Sequence, residues 1–170
     1  MNQKIKAVLG FLVSGAVLTA IDQWTKSLAV AGLKGKEPFV IWKGVFELLY
    51  SENRGAAFGV LQGKHGFFFL VAACVFVAAL YVTWKLPGEK KFVPLRICIT
   101  LITAGAAGNL IDRVLYGYVI DFIEPTFMQF AVFNIADCAV TCGGISFVLW
   151  LAVDLFRSGD GKKGTTHDGK

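Results

Sequence analysis

Apolar residues gather into four long runs, about Ile5 to Ile21, Phe67 to Trp84, Phe92 to Ile111 and Phe130 to Phe156. Each approaches the roughly 20 residues that carry a helix across a ~30 Å hydrocarbon core, so the pattern predicts four membrane-spanning helices. The first run follows Lys4 and Lys6, and Ala29, Val30 and Ala31 imitate the small residues of a signal-peptide cleavage site. The polar stretch Asp22 to Lys26 intervenes and three more spans follow, which argues for a retained helix. Between the first two runs, Phe39 to Trp42 and Val45 to Tyr50 are β-branched and aromatic around Gly44. They read as short strands or an extended sheet-like segment lying on the bilayer surface.

Composition agrees with a membrane protein: of 170 residues, 55% are hydrophobic and only 17% charged. This length allows one domain, residues 1–156, with connections of about 27–66 and 114–129 on one side and a basic, mobile tail at 157–170. With four crossings, Lys4, Lys6, Lys85, Lys90, Lys91, Arg96 and Arg157 share one side, which the positive-inside rule makes cytoplasmic. Both termini then lie inside, and the net charge of +5 needs no nucleic acid to explain it. Trp24 and Trp42 fall at the outer interface, and Trp84 and Trp150 nearer the inner one. Cys74, Cys98, Cys138 and Cys142 lack the loop spacing of zinc sites and read as small packing residues, so neither metal nor cofactor is expected.

That topology brings separated polar clusters to one surface. The first helix ends outside near Asp22 to Lys26, the third near Asn109 to Arg113, and the fourth starts outside near Asn134 to Asp137. The two outer connections bring Asn53 and Asp121 to the same level. Asn109 and Asp112, like Asn134 and Asp137, are three apart and share a helical face, while Asp22 and Lys26 are four apart and suit an internal ion pair. Gly105 and Gly108 among alanines form a stripe for close helix packing.

Charge at membrane depth is costly and usually functional. Two aspartates held close cannot both ionise cheaply, so one can keep its proton while the other polarises water, as in aspartic proteases. The same residues also suit a structural role, pairing with Lys26, Arg54 and Arg113, or an ion or proton path. From the residues alone, the hydrolase reading and the transport or scaffold reading stand side by side.

Five words, in order, carry a resemblance: Asp22, Gln23, Thr25, Lys26; Asn53, Gly55, Ala56, Ala57, Phe58; Gly108, Asn109, Asp112, Arg113; Val119, Asp121, Phe122; and Phe133, Asn134, Ala136, Asp137. Together they resemble the bacterial lipoprotein signal peptidases, or signal peptidase II. Any one word is weak, and five in order are specific. Arg54 and Gly59 depart from the family's usual small hydroxyl residues, which loosens the second word.

The resemblance implies an all-α membrane protein of four transmembrane helices, with a small β-like cradle and a short helical element on the outer surface. It implies an aspartyl endopeptidase of the bacterial cytoplasmic membrane that removes signal peptides from diacylglyceryl-modified prolipoproteins, cutting before the lipidated cysteine. Expected partners are such prolipoproteins, membrane lipids and globomycin-type inhibitors, with the chain a monomer. The catalytic pair maps onto Asp121 and Asp137. Asn53, Gly55, Asn109, Asp112, Arg113 and Asn134 map to supporting or substrate-binding places, with Asp22 and Lys26 as a structural pair. An Asp112 and Asp137 dyad stays open on sequence alone.

Overall fold

The computed structural model of the chain describes residues 2–55 and 65–163. Four helices long and apolar enough to cross a membrane carry a small antiparallel sheet at one end. In chain order the elements are α1 (Gln3–Leu33), β1 (Phe39–Trp42), β2 (Phe46–Asn53), α2 (His65–Lys85), α3 (Val93–Tyr116), β3 (Val119–Pro125) and α4 (Ile135–Lys163). A 3-10 turn at Lys90–Phe92 leads into α3. The four helices answer the four apolar runs, and the multi-pass membrane character follows from them.

Helix α3 is the hub, packing on α1, α2 and α4. Its most hydrophobic stretch is 39% buried, against 6–11% for the other three, whose remaining apolar side chains face outward as lipid-facing helices must. Small residues make the close approach. A side chain on Gly105 would strike the carbonyl oxygen of Ala136 and come within 2.7 Å of Val140 Cγ2. Gly143 of α4 also lies close against α3, where an added Cβ would sit 3.0 Å from the Cys98 carbonyl oxygen. Such backbone proximity is how helices associate where no hydrophobic driving force separates them from lipid.

At the basic end, Lys4 lies over Trp84 with its Nζ 5.6 Å from the ring centre, and Trp150 Nε1 donates to the Lys91 carbonyl oxygen over 3.3 Å. The start of α1, the end of α2, the start of α3 and the far half of α4 therefore meet at one level. The sheet occupies the other end, in the order β1-β2-β3. Gly44, with φ of 75°, allows the tight reversal between β1 and β2.

Three boundaries differ from the sequence reading. Helix α1 does not end near Lys26; it continues to Leu33 because Ala29 and Leu33 pack with Ile120, Phe122 and Leu48 beneath the sheet. The connection expected over about 114–129 begins later and holds a strand: α3 runs on to Tyr116, Gly117, in the left-handed region at φ of 78°, caps it, and residues 119–125 become the third strand. Residues 130–132 precede α4 instead of belonging to it, since Phe133 turns back to pair with Ile123. Ala56, Ala57, Phe58 and Gly59 of the loop word, and the tail after Lys163, lie outside the described residues. The short outer helical element has no counterpart among the described residues of that end.

Because Gly105 has no room for a Cβ, Gly105→Val is expected to destabilise the bundle by about 2 kcal/mol or more through overpacking. Gly15→Ala, where a Cβ meets nothing within 4 Å, should leave the thermal midpoint nearly unchanged. Equal midpoints for the two variants in one detergent would contradict the packing described.

Candidate active site

The polar clusters of α1, α3, β2, β3 and the start of α4 converge at the sheet end of the bundle. Lys26 lies at their base, only 1% exposed. Its Nζ is 2.9 Å from Asp22 Oδ2 and 2.9 Å from Asp112 Oδ2, and it donates to Asn109 Oδ1 over 2.9 Å. An ammonium has three N–H donors, and here each has an acceptor. The i,i+4 pair expected within α1 is thus extended to α3.

Both acids of this cluster also hold backbone. Asp22 Oδ1 accepts from the Ala136 amide over 2.9 Å, in the first turn of α4. Asp112 Oδ2 accepts from the Ile120 amide over 3.0 Å, and its Oδ1 from Gln23 Nε2 over 2.8 Å. Asp112 therefore engages Lys26, Gln23 and the backbone of β3. Arg113 turns elsewhere, donating to the Asn109 and Gly55 carbonyl oxygens over 3.2 and 2.8 Å, with its guanidinium 4.1 Å from the centre of the Phe68 ring.

Asp121 owes its position to the return of the chain after β3. The Phe122 and Ile123 amides donate to the Phe133 carbonyl oxygen, and the Phe133 amide donates to Ile123, which brings Asn134 beside Asp121. Asn134 Nδ2 then donates to Asp121 Oδ1 over 2.6 Å. The other Asp121 oxygen accepts from Asn53 Nδ2 over 2.9 Å. Asn53 is at the end of β2, and its Oδ1 accepts from the Gly55 amide.

The same Asn134 fixes Asp137. Its side-chain Oδ1 accepts from the Asp137 amide over 3.0 Å, while Asp137 Oδ2 accepts from the Asn134 amide over 3.1 Å. This reciprocal pair is a capping box written with Asn and Asp, and it satisfies two amides that a helix start otherwise leaves unpaired. The remaining Asp137 oxygen accepts from Asn109 Nδ2 over 2.7 Å. One fully buried asparagine thus contacts both carboxylates, and a second connects Asp137 to Lys26.

The two acids differ in surroundings. Asp121 is 2% exposed, whereas Asp137 is half-buried and lines a cavity of about 660 Å³ together with Asn53, Asn109 and Arg113. The opposite walls are apolar, with Val71 and Val75 from α2 and Leu110 from α3. Burial pushes the Asp121 carboxyl up to about 6, the nearby Asp137 charge adds to the rise, and the hydrogen bonds from Asn53 and Asn134 oppose it. Among the described residues, no cluster of three or more His, Cys, Asp or Glu side chains could hold a metal ion.

Residues 14–153 match the family described as Signal peptidase (SPase) II. The chain belongs to the signal peptidase II family. It is 37% identical over 158 residues to a lipoprotein signal peptidase of Enterococcus faecalis, covering 93% of this chain and 96% of that protein. It is 42% identical over 134 residues to a lipoprotein signal peptidase of Caldanaerobacter subterraneus, covering 79% and 90%. A bacterial membrane enzyme solved by the in meso method at 2.3 Å superposes with a TM-score of 0.74 at 30% identity, over 95% of this chain and 94% of that one. A membrane signal peptidase is therefore the activity class, and a transport role finds no support in these relatives.

Sequence reasoning missed the reach of two residues of this signal peptidase. Gln23 binds Asp112, and Asp22 caps α4, although both stood in the first word. Their partners lie 89 and 114 residues away, so helical spacing within α1 carries no signal of them.

Lys26→Met would leave Asp22 and Asp112 buried beside each other without their shared cation. The expected loss is about 3–5 kcal/mol of stability, read as a large fall in the thermal midpoint in detergent. A midpoint within a degree of the parent's would show that the cluster does not hold α1 to α3.

Proposed function

We propose that this signal peptidase is an aspartyl endopeptidase in which Asp121 and Asp137 share one proton and hydrolyse a peptide bond. The substrates are diacylglyceryl-modified prolipoproteins, cut before the lipidated cysteine. The contact of Asn134 with both carboxylates, through its side-chain amide to Asp121 and its backbone amide to Asp137, beside an apolar cavity at membrane level, carries the reading. The relatives named lipoprotein signal peptidases support the substrate class.

A signal peptide enters the cavity as an apolar helix against α2, α3 and α4, with its cleavage point at the sheet end. Asp137, open to the cavity, takes a proton from water as the water oxygen attacks the scissile carbonyl carbon. Asp121, buried and protonated, donates to the carbonyl oxygen, giving a neutral gem-diol. Collapse breaks the C–N bond: Asp137 passes its proton to the leaving nitrogen, and Asp121 recovers one from the diol hydroxyl. Asn53, Asn109 and Arg113 line the cavity and supply donors to the substrate backbone and the developing oxyanion.

Asp112 is unsuited to replace Asp121 in this scheme. It is 0% exposed, and both its oxygens are occupied by Lys26, Gln23 and the Ile120 amide. Its place is structural support for β3. The basic side bearing Lys4, Lys85, Lys91 and Arg157 faces the cytoplasm, which sets the dyad at the outer surface of the bacterial cytoplasmic membrane. The working unit is a monomer, and globomycin-type inhibitors compete for the cavity.

In a gel-shift assay on a lipidated precursor, Asp121→Asn and Asp137→Asn are each expected to lose about 10²–10⁴-fold in rate, the usual weight of general acid–base groups. Asp112→Asn should keep measurable cleavage while losing thermal stability. Turnover by Asp121→Asn at the parental rate would remove Asp121 from the dyad.

The pH profile has a defined sign. Asp121 must be protonated to donate, and burial first, then the nearby Asp137 charge, push its carboxyl up to about 6. Because the two acids titrate as a unit, kcat/KM should fall as pH rises through that region. The limb in kcat should lie at higher pH, since bound substrate expels water and penalises the charge further. A flat kcat/KM between roughly pH 5 and 8 would count against Asp121 as the proton donor.

A further inference from the structure

Between α1 and α3, at the basic end far from the dyad, runs a second groove of about 340 Å³. Lys6 and Arg96 flank it, and Gly10, Phe11, Leu18 and Leu101 form its walls. We propose that this groove binds one anionic glycerophospholipid, its phosphate on Lys6 and Arg96 and an acyl chain between the helices.

Charge complementarity points to this occupant. Among the described residues, neither Lys6 nor Arg96 has an ion-pair partner, and Glu89, the acidic residue of the α2–α3 connection, is taken by Lys91 over 3.3 Å. Arg96 uses Nη2 to hold the Leu86 and Pro87 carbonyl oxygens, at 3.4 and 2.7 Å. Its Nε is buried and has no hydrogen-bond partner. A buried guanidinium N–H without an acceptor is rare because its hydration is lost without return, so the protein leaves the Arg96 charge incompletely compensated beside this groove, and an anionic headgroup there supplies the missing counter-charge.

The walls suit a chain of CH₂ groups. Ser14 and Thr100 line the groove, yet each hydroxyl is spent on its own helix: Ser14 Oγ donates to Gly10 O over 2.6 Å and Thr100 Oγ1 to Arg96 O over 2.8 Å. What remains facing the groove is apolar. On α1 the lining runs from Lys6 to Leu18, about 18 Å at 1.5 Å per residue, close to one leaflet of a ~30 Å hydrocarbon core. Charged mouth and apolar length thus match headgroup and acyl chain in the order that a phospholipid presents them.

The full-length protein in detergent, titrated with phosphatidylglycerol, phosphatidylcholine or inorganic phosphate and read by native mass spectrometry, tests the assignment. Expected is retention of one phosphatidylglycerol in preference to phosphatidylcholine, reduced about fivefold for each cation removed in Lys6→Gln and Arg96→Gln. Gly10→Leu extends a side chain from a groove-lining position where a Cβ meets nothing within 4 Å, so it should occupy the acyl-chain path and abolish the retained lipid. Cleavage should persist in Lys6→Gln and Gly10→Leu, which keeps the outcome readable if Arg96→Gln fails to fold. Equal retention of the two lipids, unchanged retention in Lys6→Gln and Gly10→Leu, or phosphate binding as tight as the lipid would overturn the proposal.

Discussion

An ammonium withdrawn from water must give all three of its N–H groups to acceptors, and Lys26 meets that demand by drawing Asp22, Asp112 and Asn109 around one nitrogen. Everything at the sheet end is referenced to that point. Asp22 passes the constraint to α4 through the Ala136 amide, Asp112 passes it to β3 through the Ile120 amide, and Asn109 passes it to Asp137. A helix of the membrane bundle, a surface strand and a candidate catalytic acid thereby share one origin. The close approach of Gly108 to Asp22 shows how little slack the arrangement contains, since a Cβ there would strike the carboxylate.

The proposed dyad inherits asymmetry from this frame. Asp137 belongs to the capping box that begins α4, so its carboxylate faces the partial positive charge of a helix start and an open cavity. Asp121 belongs to a strand and lies behind it, held by two asparagine amides in a site from which water is excluded. Different elements, different hydration and one shared asparagine are the means by which two chemically identical side chains acquire separate roles.

The spans and the gathering of polar words at one surface were legible because hydrophobic length and positive charge act locally and add along the chain. The first two strands were also legible from Phe39 to Trp42 and Val45 to Tyr50. The end of α1 was not. Polar Asp22 to Lys26 looked like an exit from the membrane, but Asp22 and Lys26 are buried by partners on α3 and α4, and the helix continues beneath the sheet. The third strand was obscured for a similar reason: Val119–Pro125 carries Asp121 and Glu124 among its apolar residues, and what makes it a strand is pairing with β2 and with Phe133. Its β-branched and aromatic run after Gly117 was the available signal. Long-range satisfaction of buried groups decided each of these cases, and no local periodicity encodes it.

Strand β1 exposes Phe39, Val40, Ile41 and Trp42 together, each at 49–67%. Alternate residues of a strand point to opposite faces, so both faces of this edge are apolar. Such an edge is at home only where acyl chains give way to headgroups, and there it behaves as a float. Through the ladder from β1 to β2 to β3, the float carries Asp121. The depth of the proposed proton donor is then governed by the lipid interface as well as by the helices, and a bilayer of different thickness shifts the Asp121 carboxyl relative to the bundle beneath it.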